Sequence, residues 1–205
     1  MGVQMDFFNL LDYLGTFVFA ITGASVGGKS KFDLFGMLFL ALLTSCGGGT
    51  VRDIIIMDEV FWTVNSTYLY IVLIATVSTF FFRQFYERHP SILLFLDSLG
   101  LGFFTVVGTQ KALLLGQNIE TAIIMGTITA VLGGILRSAF SGEFSILRQK
   151  ELYATVAAAS SVIFIIFEKL GFDLTLCAST SVGFTLAIRY GVIKYGIKLP
   201  VLEKE

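Results

Sequence analysis

Basic residues at membrane depth are the first candidates for chemistry in this sequence. Arg52 follows the glycine run 47–49 and precedes Asp53, all inside an apolar stretch from about 34 to 57. A guanidinium near the middle of a bilayer costs at least about 2.5–3.5 kcal/mol, and each glycine costs a helix about 1 kcal/mol relative to alanine. Apolar packing alone requires neither penalty. The stretch therefore predicts a polar route or binding site for a small charged solute.

The same pattern returns later in the chain, where Gly133 and Gly134 precede Arg137. A shift of 85 residues superposes the two stretches without a gap, and Ser138 then stands where the first copy has its acid. The same shift superposes further pairs: Asp12 on Asp97, Gly15 on Gly100, Phe19 on Phe104, Gly23 on Gly108 and Thr44 on Thr129. A gap-free match through two apolar segments indicates an internal duplication.

Composition places the chain in a membrane. Of 205 residues, 55% are hydrophobic and 14% charged, whereas soluble domains carry about 25% charged residues. A net charge of −1 provides no basic face for nucleic acid. Cys46 and Cys177 lie in apolar runs and are typical of buried hydrophobic residues, so we expect neither a disulfide nor a metal site.

The elements that position these residues are membrane-spanning helices, each of about 20 apolar residues. Hydropathy predicts an all-α integral membrane protein, with a single transmembrane domain over 1–205. Seven spans are expected, at about 9–28, 34–57, 66–84, 93–115, 119–140, 151–168 and 172–193.

Lysine and arginine positions predict the orientation. With the N-terminus outside and the C-terminus cytoplasmic, the cytoplasmic segments hold most of the basic residues near the span ends: Lys29, Lys31, Arg83, Arg88, Arg148, Lys150, Lys194, Lys198 and Lys204. The exception is Lys169.

The duplication is displaced by three spans, an odd number, so its copies run in opposite directions through the membrane. This predicts an inverted three-plus-three repeat, with repeat 1 at about 9–84, repeat 2 at about 93–168, and a seventh helix outside the repeat at about 172–193. We further expect helices 2 and 5 to be broken at their glycines and to face each other near the midplane.

The charged candidates need partners. Asp53 is placed to neutralise Arg52, whereas the partner of Arg137 stays open between Asp97, Asp12 and a backbone carbonyl. Lys111 is a third basic residue at membrane depth. These residues are interpreted as part of a pathway or gate, with a structural clamp between helices as the alternative. Carbonyls at a helix break suit a cation and its N–H groups suit an anion, so the sign of the ion stays open.

Two other patterns carry less weight. The segment 23–30, GASVGGKS, matches a phosphate-binding loop letter for letter, but that loop works between a strand and a helix of an α/β domain. Here it closes a membrane span, so we expect no nucleotide binding. The sequence contains no catalytic triad, metal-ligand cluster or carboxylate pair that would indicate an enzyme, and no cofactor is expected.

Several segments together resemble the trimeric intracellular cation (TRIC) channel family, in its prokaryotic branch of uncharacterised membrane proteins and putative glycine transporters. They are GTFVFAITGA at 15–24, DLFG at 33–36, GGGTVRD at 47–53, GTQKAL at 108–113 and RQKELYA at 148–154. The resemblance covers nearly the whole chain, and its G-G-G-x-x-R-D box is fairly specific.

The resemblance implies a homotrimer of seven-span protomers in a bilayer. Each protomer would carry its own pore between kinked second and fifth helices and pass monovalent cations, chiefly potassium. The pore and gate residues carried over by position are Gly47, Gly48, Gly49, Arg52, Asp53, Lys111, Gly133, Gly134 and Arg137. Asp12, Asp97 and Ser138 are candidate charge partners. Ser138 departs from the acid of the box, and the K-E-V lipid-binding motif of the animal members is absent after Lys111.

We therefore expect a potassium-permeable channel of a prokaryotic inner membrane, with potassium or sodium as the permeating ion. A secondary carrier for glycine or another small zwitterion, whose carboxylate meets Arg52 or Arg137, is the first alternative. A non-conducting membrane scaffold is the second.

Overall fold

The computed structural model describes residues 2–142 and 152–197, and the side chains of 7–142 and 152–197. All the regular secondary structure in this part of the chain is helical. The helices are α1 (Gly2–Lys29), α2 (Leu34–Ile55), α3 (Phe61–Val64), α4 (Thr67–Phe81), α5 (Arg83–Arg88), α6 (Pro90–Leu114), α7 (Ile119–Phe140), α8 (Ala154–Lys169) and α9 (Leu174–Tyr195). The cytoplasmic signals Arg148, Lys150, Lys198 and Lys204, and most of the RQKELYA segment, lie outside the described residues.

Five of the described helices are long and apolar enough to cross a membrane: α1 from Phe7, α2, α6, α7 and α9. The predicted third span is divided between the apolar helix α4, of 15 residues, and the short helix α5. The predicted sixth span corresponds to α8, of 16 residues. Large apolar side chains such as Phe81 and Ile74 are exposed on the outside of the bundle, as expected of a surface that contacts lipid.

Helix starts follow the duplication. Asp33 caps α2 by accepting a hydrogen bond from the Gly36 amide at 2.7 Å. Asn118, 85 residues later, caps α7 by accepting from the Thr121 amide at 2.8 Å. A side-chain oxygen at this position satisfies one of the amides that a helix start leaves without a partner. The two copies therefore begin their second helix in the same way.

Glycines bring α2 and α7 into close contact at the centre of the bundle. A Cβ atom at Gly48 would overlap the carbonyl oxygen of Thr129, and one at Gly133 would overlap the carbonyl oxygen of Thr44. The two contacts exchange under the 85-residue shift, and the helices run antiparallel where they cross. Small residues that let backbones approach are the usual means of packing helices in a membrane.

The expected glycine breaks are wrong. The helix α2 continues through Gly47, Gly48 and Gly49 to Ile55, and α7 continues through Gly133 and Gly134 to Phe140. The physical reason is the crossing itself, since these glycines are needed to remove side-chain bulk between two helices. Packing at this contact offsets the low helix propensity of glycine.

The helices α1 and α6 pack in a related way. A Cβ at Gly15 would meet the Phe104 ring at 2.8 Å, and one at Gly100 would overlap the Phe19 ring. The two rings are in edge contact, with centroids 5.1 Å apart. Thus α1, α2, α6 and α7 form the core of the bundle, and this core positions the charged residues.

Candidate functional site: two buried charge clusters and a cavity

A carboxylate at the end of α2 binds two cations. Asp53 has no exposed surface, and its Oδ1 accepts hydrogen bonds from Arg52 Nε and from Lys111 Nζ, both at 2.8 Å. Its Oδ2 accepts from the Phe61 amide at 3.0 Å. Both carboxylate oxygens are therefore occupied, as a charge withdrawn from water requires.

The loop between α2 and α3 adds a second acid. Asp58 Oδ2 lies 2.7 Å from Lys111 Nζ, and the Asp58 amide donates to the Asp53 carbonyl at 2.9 Å. The hydrogen bond from Lys111 lowers the pKa of Asp58 below its usual value. Lys111 thus links the end of α6 to the loop that follows α2. We call Arg52, Asp53, Asp58 and Lys111 the Asp53 cluster.

The short helix α3 closes this cluster on one side. The guanidinium of Arg52 lies 5.9 Å from the centre of the Phe61 ring, within the range of a cation–π contact. Trp62, on the same helix, donates from Nε1 to Thr50 Oγ1 at 2.9 Å. These contacts fix α3 against the last turns of α2.

A cavity of about 540 Å³ opens beside the Asp53 cluster. Arg52 and Lys111 form part of its wall, together with Asp12 of α1. Asp12 Oδ2 accepts a hydrogen bond from the Tyr68 hydroxyl at 2.7 Å. The other residues that line it are Phe8, Asn9, Phe61, Tyr68, Val107, Gln110, Leu114, Leu115 and Leu174.

A second cluster surrounds Asp97 near the start of α6. Arg137 Nη2 lies 2.8 Å from Asp97 Oδ1, and Arg137 Nη1 donates to Thr22 Oγ1 at 2.7 Å. Arg189 of α9 is also buried, and its guanidinium lies 4.9 Å from the centre of the Tyr153 ring. We call Asp97, Arg137, Thr22, Tyr153 and Arg189 the Asp97 cluster.

The two clusters lie at opposite ends of α6. Asp97 and Lys111 are 14 positions apart on this helix, which corresponds to about 21 Å at 1.5 Å per residue. The hydrocarbon core of a bilayer is about 30 Å thick. Buried charge is therefore present in both halves of the bundle.

The clusters are related by the duplication but are not identical. The 85-residue shift carries Asp12, Arg52 and Tyr68 of the first copy onto Asp97, Arg137 and Tyr153 of the second. Ser138 stands in the place of Asp53 and is buried, while the acid beside Arg137 is Asp97. Lys111 corresponds to an apolar residue, Val26.

The remaining candidates from the sequence lie at the contacts between helices. Gly47 faces the Leu136 side chain and Gly49 faces the Phe61 ring, so the glycine run separates α2 from both α7 and α3. Gly134 is buried in α7. The GASVGGKS segment lies in the last turns of α1 and its end, and the Ser30 amide donates to the Val26 carbonyl. Such a helical amide is not arranged as in a phosphate-binding loop.

Sequence reasoning missed several participants. Arg189 was a detectable signal, because it is a charged residue inside a predicted span. Tyr68 and Tyr153 are also separated by 85 residues, so the duplication marked them as an equivalent pair. Asp58 and Gln110 carried no such mark. Within the described residues, no group of three or more potential ligand side chains is arranged to hold a metal ion.

Comparison with known families gives two matches within this chain. A family model described as glycine transporter matches residues 9–84 and again 94–169. The two matched segments are displaced by 85 residues, the same shift that superposes the two charged stretches.

Whole-length relatives are also found. The chain is 34% identical over 197 residues to a UPF0126 membrane protein of Vibrio cholerae, covering 93% of this chain and 81% of the relative. It is 33% identical over 193 residues to the UPF0126 inner membrane protein YadS of Escherichia coli K12, covering 93% of each. The fold is similar to a TRIC trimeric intracellular cation channel orthologue from Rhodobacter sphaeroides, with a TM-score of 0.88, 33% identity, and coverage of 93% of this chain and 98% of the other.

Proposed function

Because the chain belongs to the prokaryotic branch of the TRIC channel family, we propose that it is a potassium-permeable cation channel of a bacterial inner membrane. The observation that carries this proposal is the presence of two buried charge clusters at opposite ends of α6, one of them beside an open cavity. Intramembrane charge that faces a cavity is typical of an ion pathway. A scaffold has no need of the desolvation that these charges require.

The charge balance at the cavity favours a cation. Arg52 and Lys111 would repel one, but both bind Asp53, and Lys111 also binds Asp58. With Asp12, three carboxylates accompany two basic groups at this end. An excess of negative charge at the mouth of a pathway raises the local concentration of cations.

Each protomer has its own pore in this proposal, because all the described members of both clusters come from one chain. The pathway runs beside the antiparallel crossing of α2 and α7, and Arg52, Lys111 and Arg137 act as its gate. The glycines of this crossing would set its width, since larger residues would push the helices apart.

The architecture proposed is an inverted three-plus-three repeat with α9 as the seventh, additional helix. The reciprocal contacts of Gly48 with Thr129 and of Gly133 with Thr44 support it, as do the two displaced matches of the family model. We propose the N-terminus outside and the C-terminus cytoplasmic, from the distribution of basic residues. The proposed assembly is a homotrimer, like the trimeric relative from Rhodobacter sphaeroides.

Recording from purified protein in planar bilayers tests the channel. We expect discrete conductance steps in potassium, smaller or similar steps in sodium, and none in choline. Arg137→Ala should change the conductance or the open probability. Ser78→Ala is the matched control, because this hydroxyl donates to the Ala75 carbonyl of its own helix. Absence of steps in folded protein, or unchanged currents in Arg137→Ala, would contradict the proposal for the channel or for the gate respectively.

A second candidate function is a carrier for glycine or another small zwitterion. The description of the matching family model and the presence of both Arg52 and Asp12 at one cavity favour it. Liposomes loaded with glycine distinguish the two. A carrier gives saturable uptake that is accelerated by glycine on the other side, whereas a channel gives potassium flux that glycine does not drive. A scaffold gives neither.

A further inference from the structure

The cavity beside the Asp53 cluster is larger and more apolar than an inorganic ion needs. Its volume of about 540 Å³ lies within the range of about 300–1,000 Å³ that is typical of small-molecule sites. The rings of Phe8, Phe61 and Tyr68 and the side chains of Leu114 and Leu115 form much of its wall. Such a wall suits the hydrocarbon part of an organic ligand.

The wall also presents a hydrogen-bond acceptor with no donor. Gln110 is 4% exposed, and its Oε1 has no hydrogen-bond partner among the residues that the structure describes. An unpaired buried carbonyl oxygen is unfavourable unless a ligand or water supplies a donor. Gln110 lines the cavity, so a molecule inside it is in position to do so.

The charged groups of the wall favour a positive ligand. The basic groups Arg52 and Lys111 already bind Asp53. Asp12 accepts one hydrogen bond, from Tyr68, through Oδ2, and a carboxylate can accept several. The aromatic rings add a further attraction for a cation.

We propose that this cavity binds an organic ammonium ion, with its N–H groups donating to Gln110 Oε1 and Asp12 and its hydrocarbon part against Phe8, Leu114 and Leu115. The bound ligand would occupy the mouth of the pathway. Binding itself does not depend on whether the protein conducts ions, so failure of the channel proposal leaves this one testable.

Isothermal titration of the purified full-length protein in detergent with benzylammonium tests the proposal. We expect saturable binding, with the neutral benzyl alcohol at least about tenfold weaker, because a charged donor forms the stronger hydrogen bond. Gln110→Met should weaken benzylammonium binding by about tenfold or more. Its thermal midpoint should not fall, since the change removes an unpaired buried oxygen.

The duplication supplies a matched control. Ser25 is the equivalent of Gln110 under the 85-residue shift, and its hydroxyl also has no hydrogen-bond partner among the described residues. It faces a different, much smaller pocket near the end of α1, so Ser25→Ala should leave the affinity for benzylammonium unchanged. Asp12→Asn is a second, independent variant, which should also weaken binding of benzylammonium but not of benzyl alcohol.

Three results would overturn the proposal. They are no saturable binding at millimolar benzylammonium, equal binding of the ammonium and the alcohol, and wild-type affinity in both folded Gln110→Met and folded Asp12→Asn. Equal binding would mean that the cavity accepts any apolar molecule, including a lipid chain.

Discussion

The Asp53 and Asp97 clusters occupy equivalent places in two copies of one ancestral unit, yet they are wired differently. Arg52 finds its acid in the next residue of its own helix, whereas Arg137 reaches across to Asp97 on α6. In addition, Lys111 joins Asp53 to the half-exposed Asp58, while Arg189 adds a second guanidinium near Asp97. The first cluster is therefore rich in carboxylates and the second rich in guanidinium groups.

This difference teaches that the two ends of the proposed pathway have different tasks. An acidic end beside a cavity attracts cations, and a basic end resists them unless its side chains move. Substitutions at equivalent positions should separate these tasks, and those at the node with the most partners should have the largest effects.

Asp53→Asn should have the largest effect. The change removes the charge that Arg52 and Lys111 share, leaving a fully buried guanidinium without its ion pair, which costs about 3–5 kcal/mol. Thermal unfolding in detergent measures the loss. Ser138→Ala, at the equivalent position of the other copy, should cost less than about 1 kcal/mol. Equal losses in the two variants would mean that the clusters are not organised differently.

Asp97→Asn should have the next largest effect, about 2–3 kcal/mol, because Arg137 keeps its hydrogen bond to Thr22 while losing a charged partner. The sharper test is the double variant Asp97→Asn, Ser138→Asp. It gives the second copy the wiring of the first and should recover about 1 kcal/mol or more. No recovery would show that the neighbouring position on α7 cannot replace an acid on α6.

Lys111→Met should cost about 1–2 kcal/mol. Asp53 then retains Arg52 and the Phe61 amide, and the lysine side chain is 25% exposed in the structure, so part of its contribution is screened by water. Removing this cation should also increase cation current in planar bilayers. Lys194→Met, an exposed lysine beside Tyr190, is the control and should change neither quantity. A lower current in Lys111→Met would contradict the repulsive role assigned to this lysine.

Much of this arrangement was predictable from the sequence. Hydropathy located seven helical segments to within a few residues, because apolar length and short connections leave few alternatives in a membrane. The duplication and the intramembrane basic residues then identified both clusters. Arg52 and Asp53 are neighbours in sequence, so their pairing was also expected.

The errors have one physical origin. A glycine in a sequence does not reveal whether it interrupts its own helix or makes room for another, and at Gly48 and Gly133 the neighbouring backbone decides. In the same way, the acid that pairs with Arg137 could not be chosen between Asp97 and Asp12 until the crossing of α6 and α7 was known. Long-range contacts between helices determine both outcomes, and local patterns do not encode them.

Asp58→Asn should have the smallest effect, under about 1 kcal/mol at neutral pH, because this ion pair is partly exposed. Its dependence on pH is more informative than its size. The folded-state pKa of Asp58 is lowered by Lys111, so the stabilisation is present above the unfolded pKa of about 3.9 and is lost as the pH falls through the folded value. The difference in thermal midpoint between wild type and Asp58→Asn should therefore be constant from neutral pH to about pH 5 and decrease below about pH 4. Other carboxylates titrate in the same range but largely cancel in this difference. A difference that persists undiminished at low pH would mean that Asp58 acts through loop packing, and the link between the α2–α3 loop and α6 would then not be electrostatic.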